Sequence, residues 1–285
     1  MSTNRWTIGR VRVTRVVEIE GPTPGPFILR DAVPGRIQEI AWLRPHFATE
    51  AGKLVTSVHA FVVESAGRRI LVDTCVGNDK PRPGIPSWHL RRGPFLHDLA
   101  AAGFAPESID TVVCTHLHVD HVGWNTMLVE GRWVPTFPRA RYLIGTDEWR
   151  FWGQRAEEEF GDVVGDSVRP VLDAGLVDLV ASDCEITDEV RLEPTYGHTP
   201  GHVSVRIASA GEDAIITGDV MHHPCQMAHP EWASRFDVDP AAARFTRRQF
   251  LARHAGRPIL VLGTHFASPS AGWIVAEGAA YRYEV

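Results

Sequence analysis

Between Cys114 and Gly123 the chain reads Cys-Thr-His-Leu-His-Val-Asp-His-Val-Gly, so His116, His118, Asp120 and His121 fall within six positions, directly after an apolar run. Imidazole and carboxylate together form a donor set for zinc, iron or manganese rather than calcium. If the run Thr111 to Val113 is a strand that continues through the histidines, alternation points His116 and His118 to the same side. A turn beginning near Val119 then brings Asp120 and His121 to a neighbouring position. Further donors follow, each at the end of an apolar run. They are His198 and His202 in Gly197-His198-Thr199-Pro200-Gly201-His202, Asp219 in Thr217-Gly218-Asp219, and His265 in Gly263-Thr264-His265. Glycine beside each lets the backbone turn sharply and approach a site closely. Strand ends gathered along one sheet edge would bring these remote residues into one metal-binding cleft.

The elements that must position them are legible as short β-branched runs. Ile70 to Val72, Thr111 to Val113, Tyr142 to Ile144, Val203 to Ile207, Ala214 to Ile216 and Ile259 to Leu262 are bounded by Gly, Pro or Asp and predict strands. Pro94 to Gly103 predicts a helix with Phe95, Leu96 and Leu99 on one face. Asp239-Pro240 is an N-cap followed by proline at the first helical position, and the helix it opens runs to Ala255. Strands and helices with polar motifs at strand ends indicate an α/β or α+β layered fold. No repeat or low-complexity linker interrupts the chain, and a single domain over 1–285 is expected. The proline-rich segments 21–47 and 80–94 resist regular structure and are expected to form a lid or pocket wall.

Composition narrows the partners. The 285 residues carry 29 basic and 35 acidic side chains, a net charge of −6, so a nucleic-acid partner is not expected. No apolar run approaches the roughly 18–20 residues needed to span a bilayer, and the start lacks a secretory apolar core. Cys75, Cys114, Cys184 and Cys225 form no CxxC pair, which suits free thiols and a reducing, cytoplasmic location.

Taken together, His116-x-His118-x-Asp120-His121, Gly197-His198-Thr199-Pro200-Gly201-His202, Gly218-Asp219 and Gly263-Thr264-His265 resemble the signature of the metallo-β-lactamase superfamily, in order and approximate spacing. Gly218-Asp219-Val220-Met221-His222, Phe236-Asp237-x-Asp239 and Glu277-Gly278-x-x-Tyr281-Arg282 are similar to its methyl parathion hydrolase branch, related to the N-acyl homoserine lactonases. The resemblance implies a four-layer αβ/βα sandwich with two divalent metal ions, zinc first, with manganese, iron or cobalt as alternatives. It gives His116, His118 and His198 to one metal, Asp120, His121 and His265 to the other, and makes Asp219 the bridge. A hydroxide between two such ions exists at neutral pH and attacks a carbonyl or phosphoryl group. Asp120 would orient it and shuttle a proton to the leaving group. Asp73 matches the aspartate that fixes a ligand histidine, His202 is read as structural, and Cys75 stands where the family often carries glycine.

His222 occupies a position where several lactonases of this fold carry a tyrosine that contacts the substrate carbonyl, and it is expected in the pocket as a hydrogen-bond donor. Trp124 and Phe266, each next to a ligand motif, are expected as apolar pocket wall, with Trp149 and Trp152 in the core. The function expected is a hydrolase of a small apolar lactone or ester, with phosphotriesterase activity beside it, and the apolar loop residues suggest a homodimer. β-Lactam hydrolysis and an iron-dependent oxidoreductase are the alternatives. A nuclease would need an added domain and a basic surface.

Overall fold

A computed structural model describes residues 5–155 and 159–285. In chain order the first half contains β1 (Arg5–Ile8), β2 (Val11–Thr23), α1 (Gly25–Ile28), α2 (Pro34–Glu39), β3 (Leu54–Ser65), β4 (Arg68–Val72), α3 (Phe95–Ala101) and β5 (Thr111–Cys114). It continues through the hairpin β6 (Thr126–Val129) and β7 (Arg132–Pro135) to β8 (Arg141–Gly145), α4 (Thr146–Trp152), α5 (Arg169–Asp173) and β9 (Val177–Val180). The second half contains β10 (Glu185–Thr187), β11 (Val190–Pro194), β12 (Val203–Ser209), β13 (Glu212–Ile216), α6 (Cys225–Ala228) and α7 (Pro240–His254). It ends with β14 (Ile259–Leu262), β15 (Ala271–Glu277) and β16 (Ala280–Glu284).

Side-chain alternation sets the layers. Ile70, Val72 and Val113 from one sheet meet Ala214, Ile216 and Leu262 from the other in a shared inner core. The intervening residues Leu71, Val112 and Cys114 face outward onto Phe95 and Leu99 of α3. Ile215 and Val261 face outward onto Phe250 and Leu251 of α7. The result is helices, sheet, sheet, helices, as the resemblance implies. One sheet has the order β1-β2-β3-β4-β5-β8-β9, the other β10-β11-β12-β13-β14-β15-β16. β4, β5, β8 and β9 run parallel, as do β13 and β14, so their carboxyl ends share a rim where ligands bind in such sheets.

All six predicted strands lie within observed ones, and Asp239 caps α7 by accepting from the backbone N–H groups of Ala241 and Ala242, each at 3.0 Å. Segment 21–47 is more regular than its prolines suggested. Thr23 still belongs to β2, while α1 and α2 each carry proline in their first turn, where the missing N–H costs nothing. Segment 80–94 is built of turns without strand or helix. Among the described residues, no helix is long and apolar enough to cross a membrane.

Candidate metal centre

β5 ends at Cys114, so His116 and His118 do not extend it, contrary to the alternation argument. Side-chain acceptors pull the backbone out of the ladder instead. Asp73 takes the Thr115 N–H at 2.8 Å, and the buried Glu148 carboxylate takes the Leu117 N–H at 3.0 Å. Glu148 also accepts from Gly201 N–H at 2.9 Å and Trp152 Nε1 at 2.7 Å, fastening the two histidine loops together. Nothing in the sequence marked Glu148, which lies on α4 outside every motif. Gly218, at φ +56°, lies against His202, whose Nε2 accepts from the Asp219 N–H at 2.8 Å. His202 holds the Asp219 loop through this nitrogen, and its Nδ1 meets Thr195 Oγ1 at 2.9 Å. Cys75 has φ +54°, a left-handed backbone that explains why glycine suits this position.

All seven expected ligands converge. Asp219 Oδ2 has His265 Nε2 at 3.3 Å, His121 Nε2 at 3.4 Å, His198 Nε2 at 3.5 Å and His116 Nε2 at 3.8 Å. His118 Nδ1 lies 3.1 Å from His116 Nε2 and 2.9 Å from His198 Nε2. The donor atoms of His116, His118 and His198 lie within 4.8 Å of one another, as do those of Asp120, His121 and His265.

The outward nitrogens show what the inward ones offer. His121 Nδ1 donates to Asp73 Oδ2 at 2.9 Å, His198 Nδ1 to Asp237 Oδ1 at 2.9 Å, and His265 Nδ1 to the Ser57 carbonyl at 2.9 Å. These acceptors have no proton to give, so each Nδ1 carries one, and in the neutral ring the lone pair of Nε2 faces the cluster. The ring nitrogens of His116, His118 and His198, 3.1 and 2.9 Å apart around His118 Nδ1, lie beside a buried Asp219 Oδ1 that has no hydrogen-bond partner among the described residues, an arrangement that calls for cations. The residues therefore fit two divalent ions. Asp237 was quoted from the sequence only as part of the branch-like tail, and its hold on His198 was not foreseen.

Charge follows the same division. Burial keeps His116 and His118 well below the ordinary imidazole value and brings His198 to about 3, leaving them neutral donors. Burial also opposes protonation of His121 and His265, but the Asp219 carboxylate outweighs it, raising His121 and carrying His265 to about 9. Burial opposes ionisation of Asp219, but His265 and His121 outweigh it and hold the carboxylate well below its usual range.

A cavity of about 330 Å³ opens over this cluster. His118, Asp120, Asp219, His222 and His265 form its floor, and Phe27, Ile28, Val58, Ile85, Trp88, Trp152, Phe160 and Phe236 line its walls. His222 is on the cavity side as expected, with Nε2 3.3 Å from Asp219 Oδ2, and its neighbour His223 turns away to the Phe47 carbonyl. The expected wall residues Trp124 and Phe266 are corrected. Trp124 is drawn into the core by stacking on Phe95 and donating Nε1 to the buried Glu18 at 2.7 Å, while Phe266 packs on Phe47 and Tyr283. Trp152, expected in the core, lines the cavity with its ring 5.3 Å from that of His118. Segments 21–47 and 80–94 do supply wall residues, through Phe27, Ile28, Ile85 and Trp88.

The chain matches the Metallo-beta-lactamase superfamily over residues 54–273. An N-acyl homoserine lactonase of Bacillus sp is 25% identical over 174 residues, 56% of this chain and 61% of that protein. An N-acyl homoserine lactonase of Bacillus cereus is 24% identical over 184 residues, 59% of this chain and 65% of that protein. The chain thus spans just under two thirds of the length of these relatives. Among solved structures, hydrolase AbOPH in the beta lactamase superfamily superposes with a TM-score of 0.80 at 25% identity, covering 100% of this chain and 98% of that one. AidC, a dizinc quorum-quenching lactonase solved with a product, gives 0.79 at 18% identity over 99% and 96%, a likeness of fold.

Proposed function

Because the chain belongs to the metallo-β-lactamase superfamily, we propose that it is a dinuclear metal-dependent hydrolase that opens small, uncharged lactones with an apolar acyl chain. The observation that carries this reading is the pair of three-ligand groups facing each other across Asp219 beneath an aromatic cavity. N-acyl homoserine lactones, named as the substrates of both Bacillus relatives, are the first class to try. Aryl esters and phosphotriesters are secondary substrates of the same chemistry.

His116, His118 and His198 would hold one ion, Asp120, His121 and His265 the other, with Asp219 between them. When bound, two divalent cations, zinc first, supply a hydroxide nucleophile at neutral pH and Lewis-acid polarisation of a carbonyl. Asp120, partly open to the cavity, takes a proton from the attacking group and returns it to the leaving alkoxide. His222 stays neutral, since burial brings it to about 3, and its Nδ1 has no partner, so it serves as a hydrogen-bond donor to the developing oxyanion. The apolar walls place the acyl chain and exclude water.

The test is a panel of N-acyl homoserine lactones, simple lactones, aryl esters and phosphotriesters, assayed on the zinc-loaded chain before and after chelation. Lactone turnover that chelation abolishes and zinc restores is expected, and Asp120→Ala should lower kcat by about a hundredfold or more. Turnover insensitive to chelation, or nitrocefin hydrolysed faster than any lactone, contradicts the reading.

A further inference from the structure

A second cavity, of about 380 Å³, lies on the outer face of the β10–β16 sheet under the C-terminal end of α7, and shares no lining residue with the cavity over the metal centre. We propose that this groove binds a tetrahedral dianion, a phosphate group, between Arg191, Arg257 and His254.

Charge is the first observation. The groove collects the guanidinium groups of Arg191, Arg206, Arg253 and Arg257 against the carboxylates of Glu193 and Asp213, an excess of positive charge on a chain whose net charge is −6. Register makes the excess costly. Arg191 of β11 and Arg206 of β12 are directly opposed across the ladder, an arrangement that destabilises a sheet when the charges are alike. Asp213 relieves Arg206 at 2.7 Å, and Glu193 relieves Arg253 at 2.6 Å. Both carboxylates are thereby engaged, and the charges of Arg191 and Arg257 remain for a ligand.

His254 is the second observation, and it is independent of the first. It lines the groove from the last turn of α7, is 3% exposed, and its Nε2 has no hydrogen-bond partner among the described residues. A buried imidazole nitrogen without a partner forfeits a hydrogen bond that water would have made. Burial and the three arginines Arg206, Arg253 and Arg257 around it bring His254 to about 4, so it is neutral, and its ring is held edge-on against Phe250 at 4.6 Å. A neutral ring protonated at Nε2 would supply an N–H donor to an anion oxygen. Two guanidinium forks and one imidazole N–H suit the several acceptors of a phosphate better than the two of a carboxylate. The carboxyl-terminal end of a helix repels anions, so the side chains alone must attract the ligand.

The far end of α7 begins at Asp239, two residues after the Asp237 that holds His198. A helix of 15 residues is about 22 Å long, so the groove and the Asp237–His198 contact lie at opposite ends of α7.

The experiment uses the zinc-loaded full chain and follows the imidazole nitrogen resonances of His254 while inorganic phosphate, and separately a nucleoside monophosphate, is added. Calorimetry is run in parallel on Arg191→Ala/Arg257→Ala and on His254→Gln. The expected result is a saturable shift of the His254 resonance in the wild-type chain. Affinity should fall roughly tenfold in His254→Gln, the scale of one lost charge-assisted hydrogen bond, and about a hundredfold or more in the double arginine variant, which loses two. Phosphate acting at the metal centre is recognised separately, because its inhibition of turnover persists in the arginine variant. Tighter binding of the nucleotide assigns the groove to a phosphorylated organic ligand, and equal binding assigns it to the free ion. An unmoved His254 resonance, or binding that the arginine variant retains in full, overturns the proposal.

Discussion

Asp237 stands directly behind His198, its Oδ1 2.9 Å from His198 Nδ1 and its Oδ2 2.9 Å from the Ser234 N–H. The same relation joins Asp73 to His121 on the other side of the cluster, at 2.9 Å. Each carboxylate accepts from the outward Nδ1 and so turns Nε2 of that ring toward the cluster. Asp237→Asn keeps the shape but removes the charge. Metal affinity measured against a chromophoric chelator should fall by about ten- to a hundredfold, with the near-UV circular dichroism unchanged. An unaltered affinity contradicts the role.

Phe236 sits edge-on to Phe27 at 5.8 Å and to Phe160 at 6.0 Å, joining three loops over the cavity. Phe236→Ala should raise KM for lactones with long acyl chains while leaving kcat nearly unchanged. The expected loss in kcat/KM is about 10- to 100-fold, or roughly 1–3 kcal/mol, and it should shrink as the acyl chain shortens. An equal effect on short and long chains would show that this wall does not read the acyl group.

Much of this was legible because the ligand motifs sit at strand ends and strands announce themselves by alternation. Ile70 to Val72 predicted β4, and Asp73, read only as the partner of some ligand histidine, lies 2.9 Å from His121 Nδ1. What escaped were contacts between residues distant in sequence whose types are ordinary. Glu148 is one acidic residue among several on α4, and only the folded chain shows it accepting from Leu117, Gly201 and Trp152. Trp124 and Trp152 exchanged their expected places for a similar reason. Proximity to a motif placed Trp124 in the wall, but the buried Glu18 offered its Nε1 a partner in the core. The prolines of 21–47 read as breakers and turned out to open α1 and α2, since proline breaks a helix only beyond its first turn.

Lys80 provides a test of stability against pH. Its ammonium is enclosed, lies 3.7 Å over the Trp133 ring and donates to the Asp166 carbonyl at 2.8 Å, while Arg82 takes the Asp166 carboxylate with two bonds of 2.7 and 2.8 Å. Burial, only partly offset by Asp166 and reinforced by Arg82, brings Lys80 down to about 7. The unfolded amine holds its proton to about pH 10. Between these values the unfolded chain binds the extra proton, so this group's contribution to stability rises with pH. Below about pH 7 both states are protonated and the penalty is complete. Lys80→Met should therefore be more stable than the wild type by a few kcal/mol at pH 6, an advantage that narrows toward pH 9. Urea unfolding across this range measures the difference, and a gap independent of pH contradicts the argument.

The proposed function rests on two cations, one held by His116, His118 and His198 on one side of Asp219 and one by Asp120, His121 and His265 on the other. Elemental analysis of the folded chain, reconstituted with zinc and freed of excess, counts them. Two equivalents per chain are expected, falling to about one in His265→Ala. One equivalent or none in the folded wild-type chain, or two retained by the variant, would contradict it.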